Sequence, residues 1–305
     1  MLNRLPFRAM GCEMKAFLES DSPTAPAFLD FVQEWFEEWE QTLSRFRADS
    51  ELSRLNQTFD QPVKVSDTLW EVFQYSLSAD LMTNGLVTPT ILDAVIHAGY
   101  DQPFDSMPEE RDLSTALDLR RVNPLSLVIW DEREHTISLP RGVHLDFGGI
   151  AKGWAAHQAA ERLKALGPAL INAGGDIVVS GPRPGDESWG VGISNPFEPE
   201  TDLEVLYVKR CGVASSGKDR RHWTMGGVLH HHIINPCTGQ PAVTDLLRVT
   251  VIAPTAMEAE SAAKAVFIMG SEKGLDWVEQ DPTLAAVLIL DTGKVLHSRR
   301  MTSYL

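Results

Sequence analysis

Cysteine, positive charge and long apolar runs are all scarce in this sequence. The three cysteines, Cys12, Cys211 and Cys237, show neither metal-ligand spacing nor a disulfide framework. The chain has 27 Lys and Arg residues against 42 Asp and Glu, a formal net charge of −15. This charge argues against a nucleic-acid partner or an anionic membrane surface, so an anionic ligand would need a local basic pocket.

No stretch of the sequence approaches the ~20 apolar residues of a membrane span. The first residues, MLNRLPFRAMGCEM, do not have the apolar run of a signal peptide. We therefore expect a cytoplasmic protein without a membrane span. Its 305 residues, 43% hydrophobic and 23% charged, suffice for one large domain or two closely joined subdomains.

Helical and strand patterns follow one another without a regular βαβ rhythm. Helical patterns cover 27–43, about 66–84, the segment that ends at Gly167, and 255–270. Strand patterns cover a hairpin of 126–130 with 136–140, and then 169–172, 189–194, 203–208, 246–253 and 284–290. Residues 99–125 predict a surface excursion with a short helix. The mixture predicts an α+β fold, one compact unit of two interleaved lobes.

Residues 145–153, LDFGGIAKG, place Asp146, two glycines and Lys152 directly before a helical pattern. The glycines can simply let a strand and a helix pack closely. An anion site is the alternative, because a helix N-terminus presents N–H groups without helical partners and a partial positive charge. The local sequence leaves both interpretations open.

Three later loops are also distinctive, although each has a structural explanation when it is taken alone. INAGGDI (171–177) contains a Gly-Gly-Asp turn, and ASSGKDRR (214–221) is interpreted as a Ser/Gly turn beside solvated cations. HHHIINPCTGQP (230–241) begins with three histidines. Successive side chains of a strand point to opposite faces, so we do not expect a three-histidine metal site.

Together and in this order, the distinctive segments resemble one family, the ApbE-type FAD:protein FMN transferases. The resemblance covers nearly the whole chain. The matching segments are MGC (10–12), LSRFRADSELSRLN (43–56), VTPTI (87–91), LDFGGIAKG, NAGGDI (172–177), ASSG (214–217), HIINPCTG (232–239) and AESAAKAVFIMG (259–270). The resemblance implies a single ApbE-like domain over residues 1–305. It also implies an enzyme that splits FAD, releases AMP and joins FMN to a Thr or Ser hydroxyl of a target protein.

The resemblance further implies which residues contact FAD, the FMN donor. Asp146 and Lys152 match the flavin-contacting acid and lysine of the family. The other implied FAD-contact positions are Met10, Phe46, Thr88, Pro89, Thr90, His232 and Ile234. The candidate catalytic residues are Asp146, Lys152 and His232, and either a carboxylate or His232 can serve as the base. A buried ion pair between Asp146 and Lys152 is the structural alternative.

Family members usually use Mg²⁺, and here the sequence departs from the family pattern. Gly149 matches a backbone metal contact, but the late helix has Glu260 and Lys264 where Asp and Thr ligands are usual. Thr88 and Asn235 also replace common Asp residues. A carboxylate at position 260 can still bind a cation, whereas a charged lysine has no lone pair to offer. The two side chains can instead form a stabilising i,i+4 helix pair. We therefore expect an altered cation site.

Two alternatives to the transferase remain open from the sequence. In one, water replaces the acceptor hydroxyl, and the protein is an FAD pyrophosphatase that gives FMN and AMP. In the other, the protein binds FAD without transferase activity. The sequence does not identify the acceptor protein or the oligomeric state.

Overall fold

The computed structural model describes residues 1–111 and 122–305. Its contacts divide the chain into two compact units, each assembled from separate stretches. Unit 1 comprises Met1–Glu37, Lys152–Asp219 and Thr244–Leu305, and unit 2 comprises Glu38–Ala151 and Arg220–Val243. Both units mix helices with strands, which confirms the α+β class and the interleaving along the chain. The single domain over 1–305 stays a prediction.

The described elements are numbered in chain order. The helices are α1 (Ala25–Leu43), α2 (Glu51–Leu55), α3 (Asp67–Met82), α4 (Leu92–His97), α5 (Ala151–Leu163), α6 (Ala256–Met269) and α7 (Ser271–Gln280). The strands are β1 (Leu2–Ala9), β2 (Cys12–Glu19), β3 (Val63–Lys64), β4 (Glu110–Arg111), β5 (Ile129–Asp131), β6 (Thr136–Ser138), β7 (Ala169–Ala173), β8 (Asp176–Val179), β9 (Trp189–Ser194), β10 (Asp202–Val208), β11 (Cys211–Gly217), β12 (His222–Met225), β13 (Val228–His231), β14 (Ile234–Asn235), β15 (Gln240–Pro241), β16 (Leu246–Ala253), β17 (Ala285–Leu290) and β18 (Val295–His297). Within the described ranges, no helix is both long enough and apolar enough to cross a membrane.

Unit 1 is built on an eight-stranded sheet in the order β1-β2-β7-β8-β11-β16-β17-β18. Every neighbouring pair in it is antiparallel. Helix α6 packs on β11 and β16, and α7 packs on β17. An apolar cluster that includes Trp189, Val191 and Leu206 contacts Val213 and Val287 of the sheet. Burial on both faces explains why β17 is a continuous apolar run, AAVLIL, instead of an alternating one.

Helix α6 begins as its sequence predicts. The Thr255 hydroxyl accepts the Glu258 N–H at 3.2 Å, and the Glu258 carboxylate accepts the Thr255 N–H at 3.0 Å. This reciprocal capping box satisfies N–H groups that the first turn of a helix leaves without partners. It also fixes the first turn of the helix that carries Glu260 and Lys264.

The interpretation of 214–217 as a Ser/Gly turn is wrong. These residues form the second half of β11, which lies between β8 and β16. Ala, Ser and Gly have low strand propensity, so these residues do not by themselves indicate a strand. In the first half of β11, α6 lies directly on the strand at Gly212. A Cβ atom built on Gly212 would lie only 2.2 Å from the Ala256 nitrogen.

We predict that Gly212→Ala lowers the free energy of unfolding by about 1–3 kcal/mol, because an overpacked contact forces backbone shifts. The Cβ atom would also lie 2.3 Å from the Thr255 carbonyl carbon, so α6 would have to move. Gly190→Ala on β9 is the matched control, since its Cβ atom meets only Val205, at an ordinary 3.5 Å. Urea unfolding of both variants checks this expectation. Equal stability of the two would show that α6 tolerates displacement.

Unit 2 contains smaller sheets, β3-β6-β5, β13-β12-β4 and β14-β15. The predicted hairpin of 126–130 and 136–140 is confirmed as the shorter pair β5 and β6. Helix α3 has the predicted Ser66 N-cap and ends at Met82, where Asn84 and Gly85 follow with positive φ. In the predicted 99–125 excursion, the described parts hold short 3₁₀ turns and β4, and 112–121 lie outside the described residues.

Candidate active site

The LDFGGIAKG segment folds into a tight turn that leads into α5. The Asp146 carboxylate accepts the Gly148 N–H at 2.6 Å. The Phe147 carbonyl accepts the Ile150 and Ala151 N–H groups at 2.9 and 2.8 Å. The predicted helix entry is therefore present. Asp146 belongs to unit 2 and Lys152 to unit 1, and each has ion-pair partners within its own unit.

Asp146 pairs with Arg45, a residue that the sequence analysis did not select. Arg45 Nε lies 3.1 Å from Asp146 Oδ2, and the two side chains are only 7% and 11% exposed. Another guanidinium nitrogen donates to the Tyr100 carbonyl at 2.8 Å. The guanidinium also lies over the Phe46 and Tyr100 rings, 4.0 and 4.7 Å from their centroids. The one available sequence signal was its position beside Phe46.

Five rings of unit 2 form an aromatic cluster: Phe46, Tyr100, Trp223, His230 and His232. Tyr100 is central, with ring centroids of Phe46 and Trp223 at 5.8 Å and of His232 at 6.4 Å. Trp223 is buried and donates its indole N–H to the Ala98 carbonyl at 3.0 Å. Phe46 is 39% exposed, so part of the cluster is an accessible aromatic surface.

The two histidines of this cluster differ in their hydrogen bonds. His232 Nδ1 lies 3.4 Å from the Arg221 carbonyl, which can only accept, so this nitrogen is the donor. In the neutral ring Nε2 then carries the lone pair. His230 Nδ1 is buried and has no hydrogen-bond partner among the described residues. Burial lowers the His230 pKa and favours its neutral form.

Four charged side chains of unit 1 form a lysine–carboxylate cluster: Lys152, Asp176, Glu260 and Lys264. Lys152 Nζ contacts Asp176 Oδ2 and lies 2.9 Å from Glu260 Oε1. Lys264 Nζ lies 2.9 Å from the same Glu260 oxygen, and the Gly153 N–H donates to the other at 3.3 Å. The side chains of Glu260 and Asp176 are 1% and 6% exposed. The predicted i,i+4 pair of Glu260 and Lys264 is therefore present, as part of a buried cluster.

The charged groups of this cluster shift one another's pKa values. Burial alone would raise the Glu260 pKa, but the Lys152 and Lys264 ammoniums lower it to about 2. Burial opposes the charge of Lys152, yet Asp176 and Glu260 raise its pKa above the ordinary lysine value. The Asp176 pKa is raised, since burial and the Glu260 charge outweigh the effect of Lys152. Sequence reasoning missed Asp176, although the Gly-Gly-Asp of INAGGDI was its signal.

The remaining predicted FAD contacts have varied environments. Met10 and Gly11 form the two-residue turn between β1 and β2, with φ values of 48° and 67°. Such a turn normally has Asn or Gly at its first position, so a methionine there indicates a local constraint that can be functional. Ile234 is buried in a core cluster with Trp223, so only its backbone is suited to meet a ligand.

The segment Thr88–Thr90 is buried, and its hydroxyl groups bond within the protein. The Thr90 hydroxyl donates to the Asn123 carbonyl at 2.6 Å and lies 3.0 Å from the Thr88 hydroxyl. Pro89 contributes its carbonyl to the Asp146 N–H at 2.8 Å. The segment thus supports the turn before α5, and direct FAD contact by its side chains stays a prediction.

The residues proposed for Mg²⁺ do not fit a divalent cation. One Glu260 oxygen meets two ammoniums and the other meets the Gly153 N–H. Lys264 is no ligand while it is charged. Asn235, where Asp is common, accepts the Cys237 N–H at 2.9 Å in a turn. Nowhere in 1–111 or 122–305 do three His, Cys, Asp or Glu residues form a group that could hold a metal. The metal contact of Gly149 stays a prediction.

Solved structures share this fold. The ApbE protein from Thermotoga maritima superposes with a TM-score of 0.89 at 22% identity, covering 100% of this chain and 99% of that one. The flavin transferase ApbE from Vibrio cholerae superposes with a TM-score of 0.83 at 24% identity, with coverages of 100% and 99%. These likenesses place the protein in the class of ApbE-like α+β folds.

Sequence comparison then gives the family. The sequence model described as the ApbE family matches residues 10–288, and the chain belongs to this family. The FAD:protein FMN transferase of Treponema pallidum is 31% identical over 300 residues, 93% of this chain and 83% of that protein. The FAD:protein FMN transferase of Haemophilus influenzae is 29% identical over 260 residues, with coverages of 82% and 74%. The resemblance stated from the motifs is confirmed.

Proposed function

We propose that this protein is a FAD:protein FMN transferase. It takes FMN from FAD, attaches it to a Thr or Ser hydroxyl of a target flavoprotein and releases AMP. The observation that carries the proposal is the family match over 10–288, together with relatives of this name that align over most of the chain. Within unit 2 the aromatic cluster supplies groups that suit the rings of a flavin nucleotide, and within unit 1 the lysine–carboxylate cluster supplies groups that suit a diphosphate.

The chemistry is a phosphoryl-type transfer. The acceptor hydroxyl oxygen attacks the phosphorus on the FMN side of the diphosphate and forms a phosphoester bond. The bond from that phosphorus to the bridging oxygen breaks, and AMP leaves with the bridging oxygen. The hydroxyl proton passes to a base. Such reactions depend mainly on positioning and on positive charge near the phosphate oxygens.

For the base we propose His232. Its Nδ1 donates towards the Arg221 carbonyl, which leaves the lone pair of the neutral ring on Nε2. The contact with Tyr100 holds the plane of the ring. A histidine in this state can accept the proton of the attacking hydroxyl.

For the rings of FAD we propose the aromatic cluster. The exposed Phe46 ring can stack on the rings of FAD. The Arg45 guanidinium lies over the Phe46 and Tyr100 rings and holds their orientation. Asp146 acts in this arrangement by holding Arg45, with which it forms a nearly buried ion pair. Asp146 is therefore proposed as a positioning residue.

For the diphosphate we propose the ammonium groups of Lys152 and Lys264. Both contact Glu260, and Lys152 also contacts Asp176. Lysine is a common phosphate binder since its ammonium is a compact point charge. The Mg²⁺ that the family resemblance implies does not fit the residues present, so no step is assigned to it.

Nucleotide analysis tests the proposed reaction. The protein is incubated with FAD and a target protein of the Vibrio cholerae relative, and AMP, FMN and remaining FAD are separated by chromatography. We expect AMP without an equal amount of released FMN, because FMN stays on the acceptor. His232→Asn keeps a side-chain N–H donor but removes the base, so we expect it to bind FAD and to release AMP at least about a hundredfold more slowly.

Other product patterns would favour the alternatives. Equal release of FMN and AMP, with and without the acceptor, would identify an FAD pyrophosphatase. Unchanged FAD bound to the folded protein would identify a flavin-binding protein without transferase activity. Either result would overturn the proposed transfer.

A further inference from the structure

We infer that Lys264 supplies from the protein the positive charge that a divalent cation would bring to the diphosphate, so that FAD binding and cleavage need no divalent cation. This inference rests on the proposed function for the identity of the substrate. It goes beyond that function because it concerns the source of the charge. The observations that support it all lie within unit 1.

First, both carboxylate oxygens of Glu260 already have hydrogen-bond partners within the protein. Its Oε1 atom is 2.9 Å from both Lys152 Nζ and Lys264 Nζ, and its Oε2 atom accepts the Gly153 N–H at 3.3 Å. A metal ion could take this carboxylate only by displacing ammonium groups from it. The side chain is 1% exposed, so water would not easily compensate the displaced charges.

The second observation is the charge balance of the cluster. Two ammonium groups, Lys152 and Lys264, lie among two carboxylates, Asp176 and Glu260. A divalent cation added here would face two positive charges at short range in a medium of reduced dielectric constant. The two ammonium charges at least match the charge of the two carboxylates, so a divalent cation finds no excess negative charge to bind.

The third observation distinguishes Lys264 from an ordinary helix-surface lysine. Lys164 and Glu161 form an i,i+3 ion pair at the end of α5 in unit 1, at 3.1 Å, but their side chains are 43% and 41% exposed. Lys264 is 19% exposed and its partner is buried, on a helix with most residues in the core. Exposed pairs contribute little, whereas a charge held at a buried partner is a fixed feature of the site.

Metal binding and FAD binding in the purified full-length protein test this inference without requiring turnover. Mn²⁺ serves as the probe for a divalent site, since bound and unbound Mn²⁺ differ in their electron paramagnetic resonance signal. We expect no protein-bound Mn²⁺ at millimolar concentration. We also expect the same FAD dissociation constant, and the same rate of AMP release, in EDTA and in Mg²⁺. Stoichiometric Mn²⁺ binding, or FAD affinity that falls about tenfold in EDTA, would overturn the inference.

Substitution of Lys264 provides a second test of the inference. Lys264→Thr removes the ammonium and adds a hydroxyl ligand, so we expect FAD affinity in EDTA to fall roughly tenfold to a hundredfold. Mg²⁺ should restore part of it. Lys164→Thr, which breaks the exposed pair, should behave as the parent protein. Unchanged FAD affinity of Lys264→Thr in EDTA would overturn the inference.

The outcomes separate this inference from the proposed function. If AMP is never released, the proposed reaction fails, but Mn²⁺ binding and the effect of EDTA on FAD affinity still decide the role of Lys264. If Lys264→Thr does not fold, as shown by its circular dichroism, the measurements on the parent protein decide alone. If AMP release occurs only with Mg²⁺, the inference fails and the proposed function stands.

Discussion

Lys152→Met is expected to lower the free energy of unfolding by about 3–5 kcal/mol, because it leaves buried carboxylates without a main partner. Lys152 is the residue that contacts both Asp176 and Glu260. After the substitution, only Lys264 remains at Glu260, and Asp176 loses its ion pair. Methionine keeps much of the side-chain volume, so the effect reports charge more than packing.

The stability defect of Lys152→Met should depend on pH. The Asp176 pKa is already raised in the parent protein, where burial and the Glu260 charge favour the protonated form. Without Lys152 it rises further above its unfolded value. A group of this kind contributes stability that is present below the unfolded pKa and is lost as pH rises through the folded pKa. The defect should therefore shrink as pH falls from about 8 to about 5.

Urea unfolding at the two pH values checks this expectation. Lys164→Met is the matched control, since it breaks an exposed ion pair and should change stability by less than about 1 kcal/mol. Adding Asp176→Asn to Lys152→Met should recover part of the stability, because it removes the carboxylate that has lost its partner. A defect that is the same at both pH values would contradict the assigned ionisation of the cluster.

Arg45→Leu is expected to weaken FAD binding at least about tenfold, together with a loss of stability of about 3–5 kcal/mol. The substitution leaves Asp146 with a nearly buried charge and removes the cation that lies over Phe46 and Tyr100. Arg45→Lys should recover only part of the affinity. A lysine keeps the charge but lacks the planar fork that bonds Asp146 and the Tyr100 carbonyl at once.

Fluorescence titration of FAD, with thermal unfolding in parallel, measures both effects. Arg54→Leu is the matched control, because Arg54 is an exposed arginine on α2 of the same unit. We expect Arg54→Leu to bind FAD as the parent does. Normal FAD affinity of a folded Arg45→Lys variant would contradict the proposal that the aromatic cluster binds FAD.

Local features of the fold could be predicted from the sequence. The capping box of Thr255 and Glu258, the N-cap at Ser66 and the strand 246–253 all depend on residues close together in the chain. The strand 214–217 could not, because it forms by pairing with β16, a strand far along the chain. Strand propensities of single residues do not indicate such tertiary contacts.

In the candidate site, too, the sequence predicted single residues but not their tertiary contacts. The motifs located Asp146, Lys152, His232 and Glu260, but not the partners that set their charge. Lys152 and Glu260 are separated by 108 residues along the chain, and no local pattern connects them. The sequence alternatives for Asp146 and Lys152 included an ion pair between them. The structure instead pairs Asp146 with Arg45, and Lys152 with Asp176 and Glu260.

The central claim is that FMN moves from FAD to a protein hydroxyl, and the intact mass of the acceptor protein tests it most directly. A target protein of the Vibrio cholerae relative is incubated with this enzyme and FAD, and its mass is measured by electrospray mass spectrometry. The account predicts a gain equal to one FMN less one water, which is absent when the acceptor Thr or Ser is replaced by Val or Ala. An acceptor of unchanged mass, in a reaction that has released AMP and an equal amount of FMN, would contradict it.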